Sequence, residues 1–212
     1  MYVSPYSMFM IENYPLNLRS SKSICDFGSG TGVLGIVASV FNSNKIVSIE
    51  KDKEAIRLSM QNYSNNVDKK CNAQFFNNTF DCHELFDTII CNPASLPDIA
   101  DVDTFCDGGA LGMDMILEAI EFANKHLSEN GRLYIIITSI LPRSIAECRV
   151  KQNGMVYSIY AKKIIPFRNH YKNITEWVDN LKTDYKEMYY LKIDNNYYEE
   201  LFLWEIYKDQ EI

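Results

Sequence analysis

Cys25-Asp26-Phe27-Gly28-Ser29-Gly30-Thr31-Gly32-Val33-Leu34-Gly35 is the stretch that decides how the remainder of the chain is read. An apolar run with the character of a strand precedes it, one with helical periodicity follows, and glycine alternates through its middle. Glycine serves where the backbone turns tightly and where a ligand must come close with no Cβ in between. A strand-to-helix turn of this kind also aims backbone N–H groups into the cleft at the carboxyl end of an open α/β sheet, where such sheets bind ligands. The spacing narrows the choice. A dinucleotide fingerprint needs glycine at the sixth position, where Val33 stands, and no Lys-Ser or Lys-Thr follows as a phosphate-binding P-loop requires. Besides a nucleotide-type cofactor loop, the stretch by itself leaves open a glycine-rich turn without ligand and an atypical NAD loop.

Two further stretches bear on that choice. The β-branched run Lys45–Ile49 reads as a second strand and ends at Glu50, 22 residues beyond Gly28. A carboxylate there is placed to accept both ribose hydroxyls of an adenosine cofactor. Alone, the run Glu50-Lys51-Asp52-Lys53-Glu54 would read as a solvated face. The strand Phe86–Cys91 leads into Asn92-Pro93-Ala94-Ser95-Leu96-Pro97, which without its context is a plain Asn-Pro turn.

The pattern acid-x-G-x-G-x-G, with Asp26 two residues before Gly28, resembles the first motif of class I S-adenosylmethionine (SAM) dependent methyltransferases. Asn92-Pro93-Ala94-Ser95-Leu96-Pro97 is similar to the N-P-P-Y-[IV]-P motif of methyltransferases acting on amide or exocyclic amino nitrogens. Asp107-Gly108-Gly109, Leu111-Gly112-Met113-Asp114, a helix to Leu127 and Ser128-Glu129-Asn130-Gly131-Arg132-Leu133 then follow in the order of the HemK-like glutamine methyltransferases. The likeness covers roughly residues 23 to 140, a domain-scale share of the chain. It implies a seven-stranded, mostly parallel sheet with helices on both faces and an antiparallel last strand, the Rossmann-like class I methyltransferase fold. It also implies SAM as cofactor and S-adenosylhomocysteine as product. Asp26, Gly28, Gly30 and Gly32 would bind the methionine end, Glu50 the ribose, and Asn78 and Thr79, the polar residues after a short third strand Ala73–Phe76, the adenine amino group, with Ser29, Thr31 and Lys51 as further cofactor contacts. Asn92 would lie against the cofactor as well.

The chemistry explains Asn-Pro in that place. A planar NH₂ conjugated to a carbonyl or ring is a poor nucleophile because its lone pair is delocalised. Acceptors aimed at its N–H bonds hold it in line with the sulfonium methyl and favour a pyramidal nitrogen as the transition state forms. The Asn92 side-chain oxygen and the Pro93 carbonyl are the candidates, and proline fixes φ so that its carbonyl is presented steadily. No metal is needed, since the sulfonium already activates the methyl group. Ala94 and Ser95 depart from the family's Pro-Tyr, removing a ring whose stacking on a base is worth about 1–3 kcal/mol. They are candidate acceptor contacts together with Tyr2 and Tyr6. A proline-containing segment that closes over the cofactor in HemK-type enzymes resembles Tyr2-Val3-Ser4-Pro5, although the helical domain those enzymes carry further upstream has no counterpart here.

At 212 residues the chain is expected to form one α/β domain over 1–212, with an N-terminal cover over 1–22, a cofactor-binding core over 23–165 and an insertion plus terminal hairpin over 166–212. The composition, 47% hydrophobic and 23% charged, is that of an ordinary folded protein. A net charge of -7 argues against a large nucleic-acid footprint. The six cysteines show no C-x-x-C pair and no zinc spacing, which suits a reducing cytoplasm. No basic region precedes an apolar stretch at the N-terminus and no run is long enough for a membrane span, so neither export nor embedding is expected.

The remaining periodicities predict helices over Thr31–Phe41, Asp52–Val67 and Pro142–Asn153, the last stopped by Gly154. Leu133–Ile137 and Met155–Ile165 read as strands, and Met188–Ile193 and Glu200–Lys208 as a hairpin around Asp194-Asn195-Asn196. Ile174, Trp177, Val178 and Leu181 form a helical stripe in the insertion, which also carries His170, read as a surface residue rather than a base. The expected activity is methyl transfer from SAM to a nitrogen of a small metabolite or peptide. Methylation of a glutamine on a protein partner is the second expectation, and a catalytically silent SAM-fold binding subunit the rival from another class.

Overall fold

In the computed structural model, which describes residues 3–41, 45–68, 70–79, 82–97, 107–167 and 173–209, the strand before the glycine loop is Ile24–Phe27 (β1), buried at every residue. Burial on both faces is what a central parallel strand imposes, and here it takes in Asp26 together with its apolar neighbours. Lys45–Ile49 (β2) and Phe86–Cys91 (β4) flank it in parallel, with Asp26 opposite Ser48 on one side and Ile90 on the other. Asn72–Phe76 (β3) pairs in parallel with β2, Lys45 opposite Asn72.

The described chain divides into two units. One comprises Met1–Asn92, Phe122–Tyr134 and Tyr207–Ile212; the other comprises Pro93–Glu121 and Ile135–Ile206. The first carries the strand order β3-β2-β1-β4-β5, where β5 is Leu127–Thr138. Its helices are Pro5–Glu12 (α1), Val33–Phe41 (α2), Lys53–Asn66 (α3) and the end of Asp114–His126 (α4). The second carries β5-β8-β6, with Met155–Pro166 as β6 and Asn196–Lys208 as β8. Arg143–Gln152 (α5) and Ile174–Leu181 (α6) belong to it, as does the short strand Leu191–Ile193 (β7), antiparallel to β8. The architecture is the expected α/β one with a mostly parallel sheet.

Local chemistry explains most element boundaries. Asp52 caps α3, its Oδ1 accepting the Ala55 N–H at 2.6 Å. The α2 helix starts at Val33, two residues later than its periodicity predicts, because the glycine loop is still turning through Gly32. The sequence offers Val33, Leu34, Val37 and Val40 as the inward stripe of α2 and Ala55, Ile56, Met60 and Tyr63 as that of α3, and the buried faces differ from these in detail. In α2 the inward residues are Leu34 and Ala38, while Val40 is 78% exposed; in α3 they are Ala55, Ser59 and Tyr63, and Met60 points out. An i, i+4 stripe won in both helices over the broader apolar one. β5 begins at Leu127 instead of Leu133, and Ser128 there donates to Asp87 Oδ1 at 2.9 Å beside the start of β4. β8 likewise reaches back to Asn196, because a two-residue turn at Asp194-Asn195 sets Ile193 opposite Asn196.

α1 was not visible as a periodic stripe. Its signal is local: Ser4 is the N-cap, accepting the Ser7 N–H at 3.1 Å, and Pro5 stands at the first helical position. Tyr6, Ser7, Phe9 and Met10 are its buried residues. Among the described residues no helix is long and apolar enough to cross a membrane.

Candidate active site

The first unit brings Asp26, the glycine loop, Glu50 and Asn92 to the carboxyl ends of β1, β2 and β4. The loop is held from below by β2: the N–H groups of Gly28 and Ser29 both donate to the Ile49 carbonyl, at 2.9 and 3.0 Å. Gly32 has φ +82, and a Cβ there would run into Ser59 Oγ and come within 2.9 Å of Tyr63 Cε2. The loop therefore lies directly on α3, an approach only glycine permits.

Glu50 is tied into the same turn. Its Oε2 accepts the Gly30 N–H at 2.8 Å and its Oε1 the Asp52 N–H at 2.9 Å. Each carboxylate oxygen has a second lone pair, so the side chain keeps capacity for two hydroxyl donors. Asn77, just after β3, bonds through Nδ2 to the carbonyls of Glu50 and Lys51 at 3.1 and 2.9 Å, fixing the end of β2. Sequence reasoning passed over Asn77, and its place directly after a parallel strand was the available signal. Asn78 and Thr79 follow it, both half-buried, while Lys51 and Thr31 are exposed.

Asp26 is 1% exposed. Its Oδ2 accepts the Gly35 N–H at 2.8 Å, and its Oδ1 is buried with no partner. Burial pushes the carboxyl up to about 7; the Gly35 N–H works against this and the negative Glu50 adds to it. Burial, and after it the Asp26 charge, also raises the phenols of Tyr14 and Tyr63. Ser29 Oγ is a second buried polar atom without a partner. An orphaned carboxylate oxygen and an orphaned hydroxyl beside a glycine turn fit an ammonium and carboxylate end of a cofactor, and Glu50 fits a diol.

Asn92 ends the first unit, half-buried, with Nδ2 donating to Ser7 Oγ at 3.1 Å. Pro93, Ala94 and Ser95 begin the second unit. There the Ala94 N–H donates to Met115 Sδ at 3.2 Å, and Gly108 N–H to the Leu96 carbonyl at 2.7 Å. Glycines 108 and 112 press on the same segment: a Cβ on Gly112 would lie 2.5 Å from the Ser95 carbonyl oxygen, and one on Gly108 2.8 Å from Ser95 Cα. The Asp107–Asp114 stretch thus buttresses Ala94 and Ser95, a role that motif order alone did not reveal. Tyr6 is 6% exposed, packed into the first unit. Tyr2 and His170 lie outside the described residues.

The fold is the Rossmann-like one of the class I methyltransferases, a class whose members use SAM. The family model for the methyltransferase small domain matches residues 4–161, and the chain belongs to that family; it is a methyltransferase. A protein of Methanocaldococcus jannaschii named as a candidate N5-glutamine methyltransferase is 27% identical over 156 residues, 69% of this chain and 77% of that one. The ribosomal protein L11 methyltransferase of Lactobacillus johnsonii is 25% identical over 140 residues, 66% of this chain but only 38% of its own length. Among solved structures, that of the E. cuniculi Mtq2–Trm112 complex, responsible for methylation of the eRF1 translation termination factor, shares the fold with a TM-score of 0.61 at 15% identity, covering 99% of this chain and 98% of that one.

Proposed function

We propose that this chain transfers a methyl group from SAM to the nitrogen of a planar amide, with a glutamine side chain in a polypeptide as the best-supported acceptor. The observation that carries the reading is Asn92-Pro93 at the carboxyl end of β4, next to a strand that ends in the glycine loop, with Asn92 held through its amide nitrogen so that Oδ1 is the end left to accept. The N5-glutamine name of the M. jannaschii relative supports a glutamine. The proposal takes 1–212 as one methyltransferase domain, with 1–22 as its cover, 23–165 as its core and 166–212 as its insertion and terminal hairpin.

SAM, when bound, supplies a methyl group on a positively charged sulfur. Asp26 and Ser29 receive its methionine end, with Gly28, Gly30, Thr31 and Gly32 as the loop around it; Glu50 accepts the ribose hydroxyls; Lys51, Asn78 and Thr79 border the adenosine. Asn92 Oδ1 and the Pro93 carbonyl accept the N–H bonds of the acceptor nitrogen, orienting it and strengthening their hold as it becomes pyramidal. A protein or peptide partner is the source of that nitrogen. Ser95 in place of an aromatic ring favours a second reading, a small amide- or amine-bearing metabolite that needs no stacking partner.

Incubating the protein with methyl-labelled SAM and a glutamine-containing peptide, followed by fragment mass spectrometry, tests the proposal. One methyl group is expected on the side-chain nitrogen, and Asn92→Ala lowers kcat by about a hundredfold with SAM affinity largely kept. Methylation on carbon or oxygen, or an Asn92→Ala variant with unchanged turnover, contradicts it.

A further inference from the structure

The acceptor motif is joined to the N-terminal helix by one side-chain bond that spans 85 positions of sequence, Asn92 Nδ2 to Ser7 Oγ at 3.1 Å. Ser7 is 6% exposed, so the bond is sheltered from competing water. Its hydroxyl oxygen also accepts from Ser4 Oγ at 3.1 Å, and Ser4 Oγ in turn accepts the Ser7 backbone N–H at 3.1 Å. Ser7 therefore makes three bonds, one through its main chain and two through its hydroxyl, which accepts from both Ser4 and Asn92. Its main chain closes the cap of α1, and its side chain reaches Asn92.

Resting on the methyl-transfer reading, we infer that Ser7 is a positioning residue that sets which end of the Asn92 amide faces the acceptor. An asparagine amide has two nearly isosteric ends of opposite character, an oxygen that only accepts and an NH₂ that only donates. Turning it over would set a donor against the N–H bonds of the acceptor nitrogen, replacing attraction with repulsion. By accepting from Nδ2, Ser7 keeps that end occupied and leaves Oδ1 as the end on offer. The N-terminal helix then contributes to the reaction by holding this amide, and not only by covering the core.

Ser7→Ala removes the hydroxyl's bonds to Asn92 and to Ser4 Oγ but keeps the cap bond from the Ser7 backbone N–H to Ser4 Oγ, while Ser7→Thr keeps the hydroxyl. The test uses full-length protein labelled with ¹⁵N-asparagine, with the Asn92 side-chain signal assigned by its loss in Asn92→Ala and S-adenosylhomocysteine as the binding probe. In the wild type and Ser7→Thr the Asn92 NH₂ protons exchange slowly with solvent; in Ser7→Ala they exchange at least about tenfold faster, as a locally opened bond does. S-adenosylhomocysteine affinity changes by less than about twofold, and kcat on a glutamine-containing peptide falls by about ten- to a hundredfold at unchanged KM for SAM. Exchange and kcat in Ser7→Ala equal to those of the wild type would overturn the inference. A wild type that does not bind S-adenosylhomocysteine would sink the methyl-transfer reading instead, and the exchange comparison would still decide whether Ser7 holds Asn92.

Discussion

The Gly30 N–H donates to Glu50 Oε2 at 2.8 Å, so the second glycine of the loop and the acid at the end of β2 are one hydrogen-bonded unit. Glu50 also holds the Asp52 N–H through Oε1, which joins the loop to the start of α3. Glu50→Ala leaves both N–H groups without this partner and costs about 1–3 kcal/mol of stability. S-adenosylhomocysteine affinity falls at least about tenfold, and Glu50→Gln, which keeps one acceptor oxygen, loses less of both. Urea unfolding and calorimetric titration measure the two effects. Unchanged stability would show that the carboxylate does not organise the loop.

Asp26 makes the stability of the ligand-free protein pH-dependent. Its carboxyl titrates at about 7 in the folded chain against 3.8 unfolded, so between these values the folded state holds a proton that the unfolded state has lost. The Asp26 contribution to stability is therefore fully present below 3.8, declines as pH rises toward about 7, and is lost above it. The full effect is on the order of 4 kcal/mol. Asp26→Asn is expected to remove this contribution to the slope and to be the more stable protein above pH 7, and, if Asp26 receives the SAM ammonium as proposed, to bind SAM more weakly. Urea unfolding of both proteins across this pH range checks the sign; parallel curves would refute it.

Gly35 lies between Asp26 and Tyr63. A Cβ at this position would run into the Tyr63 hydroxyl, with Asp26 Oδ2 and Tyr63 Cζ next at 3.2 Å. Gly35→Ala is expected to destabilise by about 1–3 kcal/mol through overpacking. In a Tyr63→Phe background the cost shrinks, since the nearest obstacle is gone. A double-mutant cycle by chemical denaturation reads this directly, and strict additivity would contradict it.

Gly112 supports Ser95 in the same manner, its Cα side standing against the Ser95 carbonyl. Gly112→Ala, at φ +70 and with a Cβ 2.5 Å from that oxygen, moves the segment after Asn92-Pro93. Turnover on a glutamine-containing peptide is expected to drop by at least about tenfold, whereas S-adenosylhomocysteine binding, which the proposal assigns to Asp26 and Glu50, is expected to change little. Equal losses in both measurements would mean that Gly112 serves folding alone.

The parts of the fold legible in the sequence are those whose cause is local. β2 and β4 have the limits their apolar runs predict, α3 begins after its Asp52 cap, and α5 stops before Gly154. Asp26 and Glu50 were readable for the same reason, since each sits at a fixed offset from a strand end and a glycine turn. What escaped depends on partners distant in sequence. The Ser7–Asn92 bond and the pressure of Gly108 and Gly112 on Ser95 leave no periodic trace. Choosing the buried face of α3 also required knowing that Tyr63 and Ser59 meet the glycine loop, because Met60 is equally apolar to the eye.

The central claim is that Asp26, the glycine loop and Glu50 form a SAM site, and it can be tested without knowing the acceptor. Calorimetric titration of the wild type, Asp26→Ala and Glu50→Ala with S-adenosylhomocysteine is the most direct measurement. One-site binding in the wild type, weakened at least about tenfold in each variant, is the predicted result. No binding by the wild type, or binding that neither replacement disturbs, would contradict the account.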